Sequence, residues 1–447
     1  MIQKVLIANR GEIALRIIRA CKEINLQTVA VYSKVDELSL HVRFADEAIC
    51  IGPGPSNLSY LSIPAIISAA ELTNADAIHP GYGFLSESAE FSSICSDHGI
   101  TFIGPNPQII SSMGNKANAK MTMKGVDVPV VPGSDGVISD IEIGKKLALE
   151  VGYPIMLKAS AGGGGKGLRI VETEDQFENA FLTAQNEAII SFNNGDMYME
   201  KYLIKPRHIE IQILADTHGN VFALGERECS IQRRHQKMIE ESPCVAIDEE
   251  LRQKMCASAI AGAKAVNYVG AGTIEFLLDA RGEFYFMEMN TRIQVEHPVT
   301  EMVVNTDLVK HQILCHAGFP LPSWMKNFTL RGHAIECRIN AEDPEKKFRP
   351  SPGIINHFHM PGGMGIRVDT HVYAGYKVPP NYDSMIAKLI VHAPTRKEAI
   401  KRMVWALEEC VFDGIKTNIP YQLFILQNED FISGNIHTGF LETIHYK

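Results

Sequence analysis

The chain has no long apolar run, no CxxC pair, no GxGxxG in the Asn9-Arg-Gly-Glu turn after its first strand, which leaves dinucleotide binding unsupported, and no excess of basic residues, and each absence removes a class of function. Without about 18 consecutive apolar residues it has no membrane-spanning helix. Met1-Ile-Gln-Lys4 passes directly into a strand pattern where a signal peptide would need an apolar region, so a cytoplasmic protein without a membrane partner is expected. Nine cysteines, an odd number scattered without metal-ligand spacing, argue for reduced thiols and against a disulfide framework or a zinc site. A formal net charge of -9 gives no reason to expect nucleic-acid binding.

What is present points to a globular protein of two or three subdomains, at 447 residues with 45% hydrophobic and 21% charged. Residues 1 to about 115 alternate strand and helix. Lys4 to Asn9 is a buried strand, a helix after Gly11 places Ile13, Ile17, Ala20 and Ile24 on one face, and Thr28 to Tyr32, Ala77 to His79 and Thr101 to Gly104 continue the strands. That order predicts a doubly wound, mostly parallel sheet. The Pro/Gly-rich stretch Val128 to Gly136 marks a boundary. A small unit to about residue 203 and a larger α+β unit follow, so the fold class is α/β and α+β.

Gly270 to Glu301 carries the densest chemistry. Apolar runs Thr273 to Leu278 and Phe284 to Met289 flank an Arg281-Gly282 turn signal, the pattern of a hairpin. A two-residue turn would set Ala280 opposite Glu283 and hence Glu275 opposite Glu288. Like charges paired across strands repel. With Asn290 on the same face, three oxygen ligands converge where a hard cation such as Mg²⁺ would offset that repulsion. Beyond them Arg292, Gln294 and Glu296 recur with period two, as an extended strip suited to a small oxyanion.

Two further segments suit a polyphosphate. Lys158-Ala-Ser-Ala-Gly-Gly-Gly-Gly-Lys-Gly167 sits between apolar strands, and its glycine amides can wrap phosphates as a flexible hairpin lid. It is not a Walker A loop, because Ser160 stands where the first Gly belongs and Gly167 where Ser or Thr belongs. Glu226 to Lys237 concentrates positive charge in an extended run, with Arg233, His235 and Lys237 on one parity and Gln232, Arg234 and Gln236 on the other.

Asn9-Arg-Gly-Glu-Ile-Ala, His79-Pro-Gly-Tyr-Gly-Phe-Leu-Ser-Glu87, Lys158 with its glycine loop, Gln232-Arg-Arg-His-Gln-Lys237 and Glu288 to Glu301 together resemble biotin carboxylase, of the ATP-grasp superfamily. His333 to Asp343 and Tyr382-Asp-Ser-Met385 extend the resemblance over essentially the whole chain, and the nearest likeness is to the free-standing subunit of bacterial acetyl-CoA carboxylase. The resemblance implies an ATP-grasp fold: a doubly wound pre-ATP-grasp domain over residues 1–115, an ATP-grasp domain over 116–317 with a mobile lid at 131–203, and a C-terminal domain over 331–440. It implies phosphorylation of bicarbonate by ATP and carboxylation of biotin at N1′. Lys116 and Lys158 would contact the phosphates, Gly164 and Gly165 cover them, Glu200, Lys201 and Leu203 hold the adenine, and His208, Gln232 and His235 complete the nucleotide site. Glu275, Glu288 and Asn290 would take Mg²⁺ or Mn²⁺. Lys237, Arg292, Gln294 and the Val295 backbone would grip bicarbonate, Glu296 would deprotonate it, Arg338 would stabilise the enolate-like oxygen of biotin, and Tyr82 would border the biotin pocket.

The same resemblance implies a homodimer, a biotin carboxyl carrier protein and carboxyltransferase subunits as partners. No Ala-Met-Lys-Met biotin-attachment sequence occurs, so biotin is expected on a separate carrier. Service in a pyruvate or propionyl-CoA carboxylase, and an ATP-grasp ligase with another acceptor, are the alternatives. Family members usually carry Asp where this chain has Asn115, which touches how Lys116 is held. Lys124-Gly-Val-Asp-Val-Pro129 also departs from the pattern, at an expected helix end. Cys229 and His297 are expected to pack, with His297 on the face of an extended strand opposite Glu296.

Overall fold

The computed structural model describes residues 2–134, 136–138, 140–159, 168–192 and 194–446, without the side chains of 191 and 192. Gly164 and Gly165 therefore lie outside the described residues.

The N-terminal strands are β1 (Lys4–Ile7), β2 (Gln27–Ser33), β3 (Glu47–Gly52), β4 (Ala77–His79) and β5 (Thr101–Phe102). They form a sheet in the order β3-β2-β1-β4-β5, parallel throughout. The helix Gly11–Glu23 buries Ile13, Ile17 and Ala20 as its apolar spacing requires. The order reverses beside β1, which puts the loops after β1 and β4 at the switch point of a doubly wound sheet. Glu12, in the first turn of the helix that follows β1, and Tyr82, in the loop after β4, lie there.

The small unit is a three-stranded sheet, β7-β6-β8, made of β6 (Ile155–Ala159), β7 (Leu168–Val171) and β8 (Met197–Lys201). β6 and β7 are antiparallel, with Lys158 opposite Leu168, so the glycine loop joins a hairpin. Its core of Leu157, Val171, Phe177, Phe181 and Met199 is separate from the others. The chain enters and leaves side by side, through a Gly133 to Glu200 bridge and a Lys201 N–H to Pro132 carbonyl bond of 2.7 Å.

The large sheet contains β9 (Arg207–Ala215), β10 (Val221–Arg233), β11 (Gln236–Ser242), β12 (Gly270–Leu278), β13 (Phe284–Asn290) and β14 (His333–Asn340). Its order is β13-β12-β9-β10-β11-β14, continued by Met385–Ala393 and Ile366–Thr370. One sheet thus runs unbroken from the β12–β13 hairpin into the C-terminal part, through the β11 to β14 pairing.

Four local expectations need correction. The β12–β13 loop has three residues, since the Asp279 N–H bonds the Glu283 carbonyl at 2.8 Å. Gly282, at φ +84°, takes the left-handed position that such a loop needs. A bulge at Met287 then restores the register, and Glu275 does face Glu288. The basic run is not one strand: Arg234 and His235 adopt φ of 50° and 66° and fold it into the β10–β11 hairpin, so Gln232 faces Lys237. The strip after Asn290 leaves the sheet and ends at Glu296, the N-cap of the helix His297–Val304. His297 therefore opens a helix, buried, with Nδ1 at 2.7 Å from the Gln294 carbonyl.

Candidate active site

β9 enters the site with an alternation visible in its sequence: His208, Glu210 and Gln212 share one face while Ile209, Ile211 and Ile213 fill the core. Buried polar side chains need partners, and the neighbouring strands supply them. Arg227 of β10, fully buried, pairs with Glu210 and donates to Gln212 Oε1 at 2.6 Å, Thr300 Oγ1 at 3.0 Å and Thr273 Oγ1 at 3.2 Å. Glu210 and Arg227 were not singled out from the sequence, although a charge at every second position of an apolar strand is a signal that could have found Glu210.

Lys237 stands at the centre. Its ammonium lies 2.6 Å from Glu210, 2.7 Å from Glu296, 3.0 Å from Glu275 and 3.2 Å from Gln294 Oε1. Burial alone would lower its pKa, but Glu210, Glu275 and Glu296 outweigh burial and hold it well above the ordinary lysine value. Glu296 is the mirror case. Burial would raise its pKa, but Lys237, Arg338 and Arg227 keep the carboxylate below the usual range. Its two oxygens are divided, Oε1 to Lys237 and Oε2 to Arg338 Nη2 at 2.9 Å, while Arg338 Nε donates to Glu240 at 2.6 Å.

Toward the hairpin, Glu275 accepts from Asn290 Nδ2 at 2.8 Å and Gln294 Nε2 at 2.9 Å, and His208 Nε2 lies 2.9 Å from its other oxygen. Glu288 is less well served: its nearest cation, Lys116, is 3.8 Å away on a side chain 78% exposed. Burial and the charge on Glu275 push the Glu288 carboxyl up. A site with excess negative charge on hard oxygens suits a divalent cation. Asn115 caps the helix Lys116–Lys124, accepting the Asn118 N–H at 3.0 Å, and that helix ends at Lys124.

Arg292 donates to Asn290 Oδ1 at 2.9 Å and to Glu87 at 2.8 Å, so the N-terminal part supplies an acid that sequence reasoning did not single out. The Val295 carbonyl accepts from Lys388 at 2.8 Å, and the Tyr82 hydroxyl donates to Glu12. Glu200 contacts both Lys158 and Lys120. Lys201 turns away and donates to the Gly152 and Tyr153 carbonyls at 2.6 and 2.9 Å. Leu203 is half-buried just after β8, Gln232 is half-buried, and His235 is exposed at the β10–β11 turn. Cys229 is buried 3.9 Å from Glu296, and burial together with Glu210 pushes its thiol well up, which removes the thiolate a nucleophile needs.

Three family models match in chain order: "Biotin carboxylase, N-terminal domain" over residues 1–110, "Carbamoyl-phosphate synthase L chain, ATP binding domain" over 115–324 and "Biotin carboxylase C-terminal domain" over 336–443. The biotin carboxylase of Nostoc sp. is 56% identical over 99% of both chains. The solved biotin carboxylase of Campylobacter jejuni, titled as a β,γ-ATP complex, superimposes with a TM-score of 0.91 at 51% identity over 99% of both chains. The biotin carboxylase domain dimer of Hydrogenobacter thermophilus 2-oxoglutarate carboxylase, titled as a complex with MgADP, ADP and bicarbonate, gives a TM-score of 0.89 at 49% identity, over 99% of this chain and 97% of its own. The same order of parts, with full-length identity above 50% and a shared ATP-grasp frame, places this chain in the biotin carboxylase family.

Proposed function

We propose that this enzyme uses ATP and bicarbonate to carboxylate N1′ of biotin presented by a separate carrier protein. The observation that carries the reading is the division of Glu296 between Lys237 and Arg338. A proton acceptor for bicarbonate then stands between the cation that grips bicarbonate and the cation that meets biotin, so the two half-reactions share one wall.

Bicarbonate is a poor electrophile because its carbon is resonance-stabilised and anionic. Attack of its oxygen on the γ-phosphorus expels ADP and makes carboxyphosphate, a step that needs in-line positioning and cations on the equatorial oxygens. Lys116, Lys158 and the glycine loop are suited to the polyphosphate, and Glu200, Leu203, His208, Gln232 and His235 to the nucleoside side, with Lys201 able to contribute only its backbone because its side chain is turned onto the Gly152 and Tyr153 carbonyls. Glu275, Glu288 and Asn290 fit Mg²⁺ or Mn²⁺, which would neutralise phosphate charge when bound. Arg292, Gln294 and the Val295 backbone hold bicarbonate beside Lys237 while Glu296 takes its proton. Arg338, always charged, stabilises the oxygen of deprotonated biotin, whose pocket Tyr82 borders.

Acetyl-CoA carboxylase in the cytoplasm, with carboxyltransferase subunits and a homodimer of this chain, is the assembly we favour. The family has members in other carboxylases, as the 2-oxoglutarate enzyme illustrates. The test is ATP cleavage by the purified chain with free biotin: phosphate release requires bicarbonate and is stimulated by biotin. Release indifferent to both would overturn the reading.

A further inference from the structure

Lys388 lies fully buried on the strand Met385–Ala393, far in sequence from the catalytic hairpin. A buried lysine needs strong partners, and the identity of these partners is informative. Its ammonium donates to the Val295 carbonyl at 2.8 Å and sits 3.1 Å from Glu12 Oε1 and 3.9 Å from Asp369 Oδ2. Glu12, itself buried, accepts the Tyr82 hydroxyl. One cation therefore touches the turn that carries Gln294, Val295 and Glu296. Through a single carboxylate it also touches the ring at the biotin side.

The geometry at Val295 matters because residues 291–296 lie outside any strand. Holding that carbonyl fixes the peptide joining Val295 to Glu296, and with it the direction of the Glu296 side chain and of the Val295 backbone. The following helix has its own anchors: Glu301 is bound by Arg16 at 2.8 Å and by Arg367 at 2.7 Å. Arg367 also pairs with Asp369 at 2.8 Å. Loss of Lys388 would free the turn while leaving the helix tied down.

We propose that Lys388 is a positioning residue that sets the bicarbonate turn directly and the biotin-side Tyr82 through Glu12. This rests on the biotin carboxylase reading above. Lys388 does not touch the nucleotide residues, so its loss separates substrates that a general loosening would affect together.

The test is steady-state kinetics of Lys388→Met, Tyr82→Phe and the double variant, with ATP, bicarbonate and free biotin each varied. Lys388→Met raises KM for bicarbonate about tenfold or more, the effect of losing a charged hydrogen bond, and raises KM for biotin, with KM for ATP within about twofold of the parent. In the Tyr82→Phe background the further effect on biotin disappears and the effect on bicarbonate persists. An unchanged bicarbonate KM, or a rise in all three constants together, overturns the proposal. Should Lys388→Met not fold, Glu12→Met decides: it removes the acceptor that Tyr82 and Lys388 share but leaves Lys388 on Val295, so KM rises for biotin alone, and an equal rise for both substrates or for neither overturns the proposal. A parental enzyme without bicarbonate-dependent ATP cleavage would instead overturn the functional reading itself.

Discussion

Replacing Glu296 by alanine removes one carboxylate from between two cations, and the structure indicates what remains. Lys237 keeps Glu210 at 2.6 Å and Glu275 at 3.0 Å, and Arg338 keeps Glu240 at 2.6 Å. Neither cation is orphaned, so the stability loss should fall below the roughly 3–5 kcal/mol of a broken buried pair. The nucleotide groups Lys116, Lys158 and Glu288 make no contact with Glu296, and ATP affinity should stay within about twofold. Turnover should behave differently. Loss of a general base costs about 10²- to 10⁴-fold, or roughly 3–5.5 kcal/mol of barrier. Glu296→Gln separates base from spacer, since the amide keeps the shape and one acceptor but takes no proton. Bicarbonate-dependent phosphate release, followed at saturating Mg-ATP, should fall alike in both variants. Glu296 is held below the usual carboxylate range because Lys237 and Arg338 outweigh the burial that would raise it, so its own ionisation should add no acidic limb to the parental profile between pH 5 and 8. Parental turnover in Glu296→Ala would refute the assignment and leave the carboxylate as an orienting partner for Lys237 or Arg292.

Glu288→Gln should weaken Mg-nucleotide binding by about tenfold or more, since even outer partners of a metal site are worth that much; calorimetric titration checks it, and unchanged affinity would remove Glu288 from the metal site. Asn115→Asp should change thermal stability little because both residues cap well, whereas Asn115→Ala should cost about 1 kcal/mol. His41, His79 and His371 are buried, and burial lowers them to about 4, 3 and 3. The unfolded chain takes up protons below about pH 6.5 that the folded chain refuses, so their stabilisation is complete above that pH and is lost as pH falls, at up to about 1.4 kcal/mol per unit for each. A melting temperature that is flat from pH 7 to 5 would contradict this. Amide exchange across residues 131–203 should slow when Mg-ATP binds, as a lid closing on one hinge requires; unchanged exchange at saturation would count against closure.

Much of the site was legible because it is local. Glu275, Glu288 and Asn290 lie on one hairpin, and their facing survives an incorrect turn length only because the bulge at Met287 compensates for the longer loop. Arg234 and His235 hid a hairpin because neither is glycine, yet both take positive φ. Arg292, Gln294 and Glu296 keep the period of two that marks a strand, although Glu296 caps the helix that begins at His297. The pairing of β11 with β14 joins segments about 90 residues apart, and no local pattern encodes it. Lys388 is the extreme case, since its meaning depends on Val295 and Glu12 arriving from two other parts of the chain.

The most direct measurement of the central claim traces an oxygen atom. The purified chain is supplied with Mg-ATP, free biotin and ¹⁸O-labelled bicarbonate, and the phosphate and biotin products are weighed by mass spectrometry. If bicarbonate attacks the γ-phosphorus and carboxyphosphate then gives up its carboxyl group, the bridging oxygen stays on phosphorus. The account predicts one labelled oxygen per phosphate released, together with labelled carboxybiotin. Phosphate released without label, its fourth oxygen drawn from water, would contradict it.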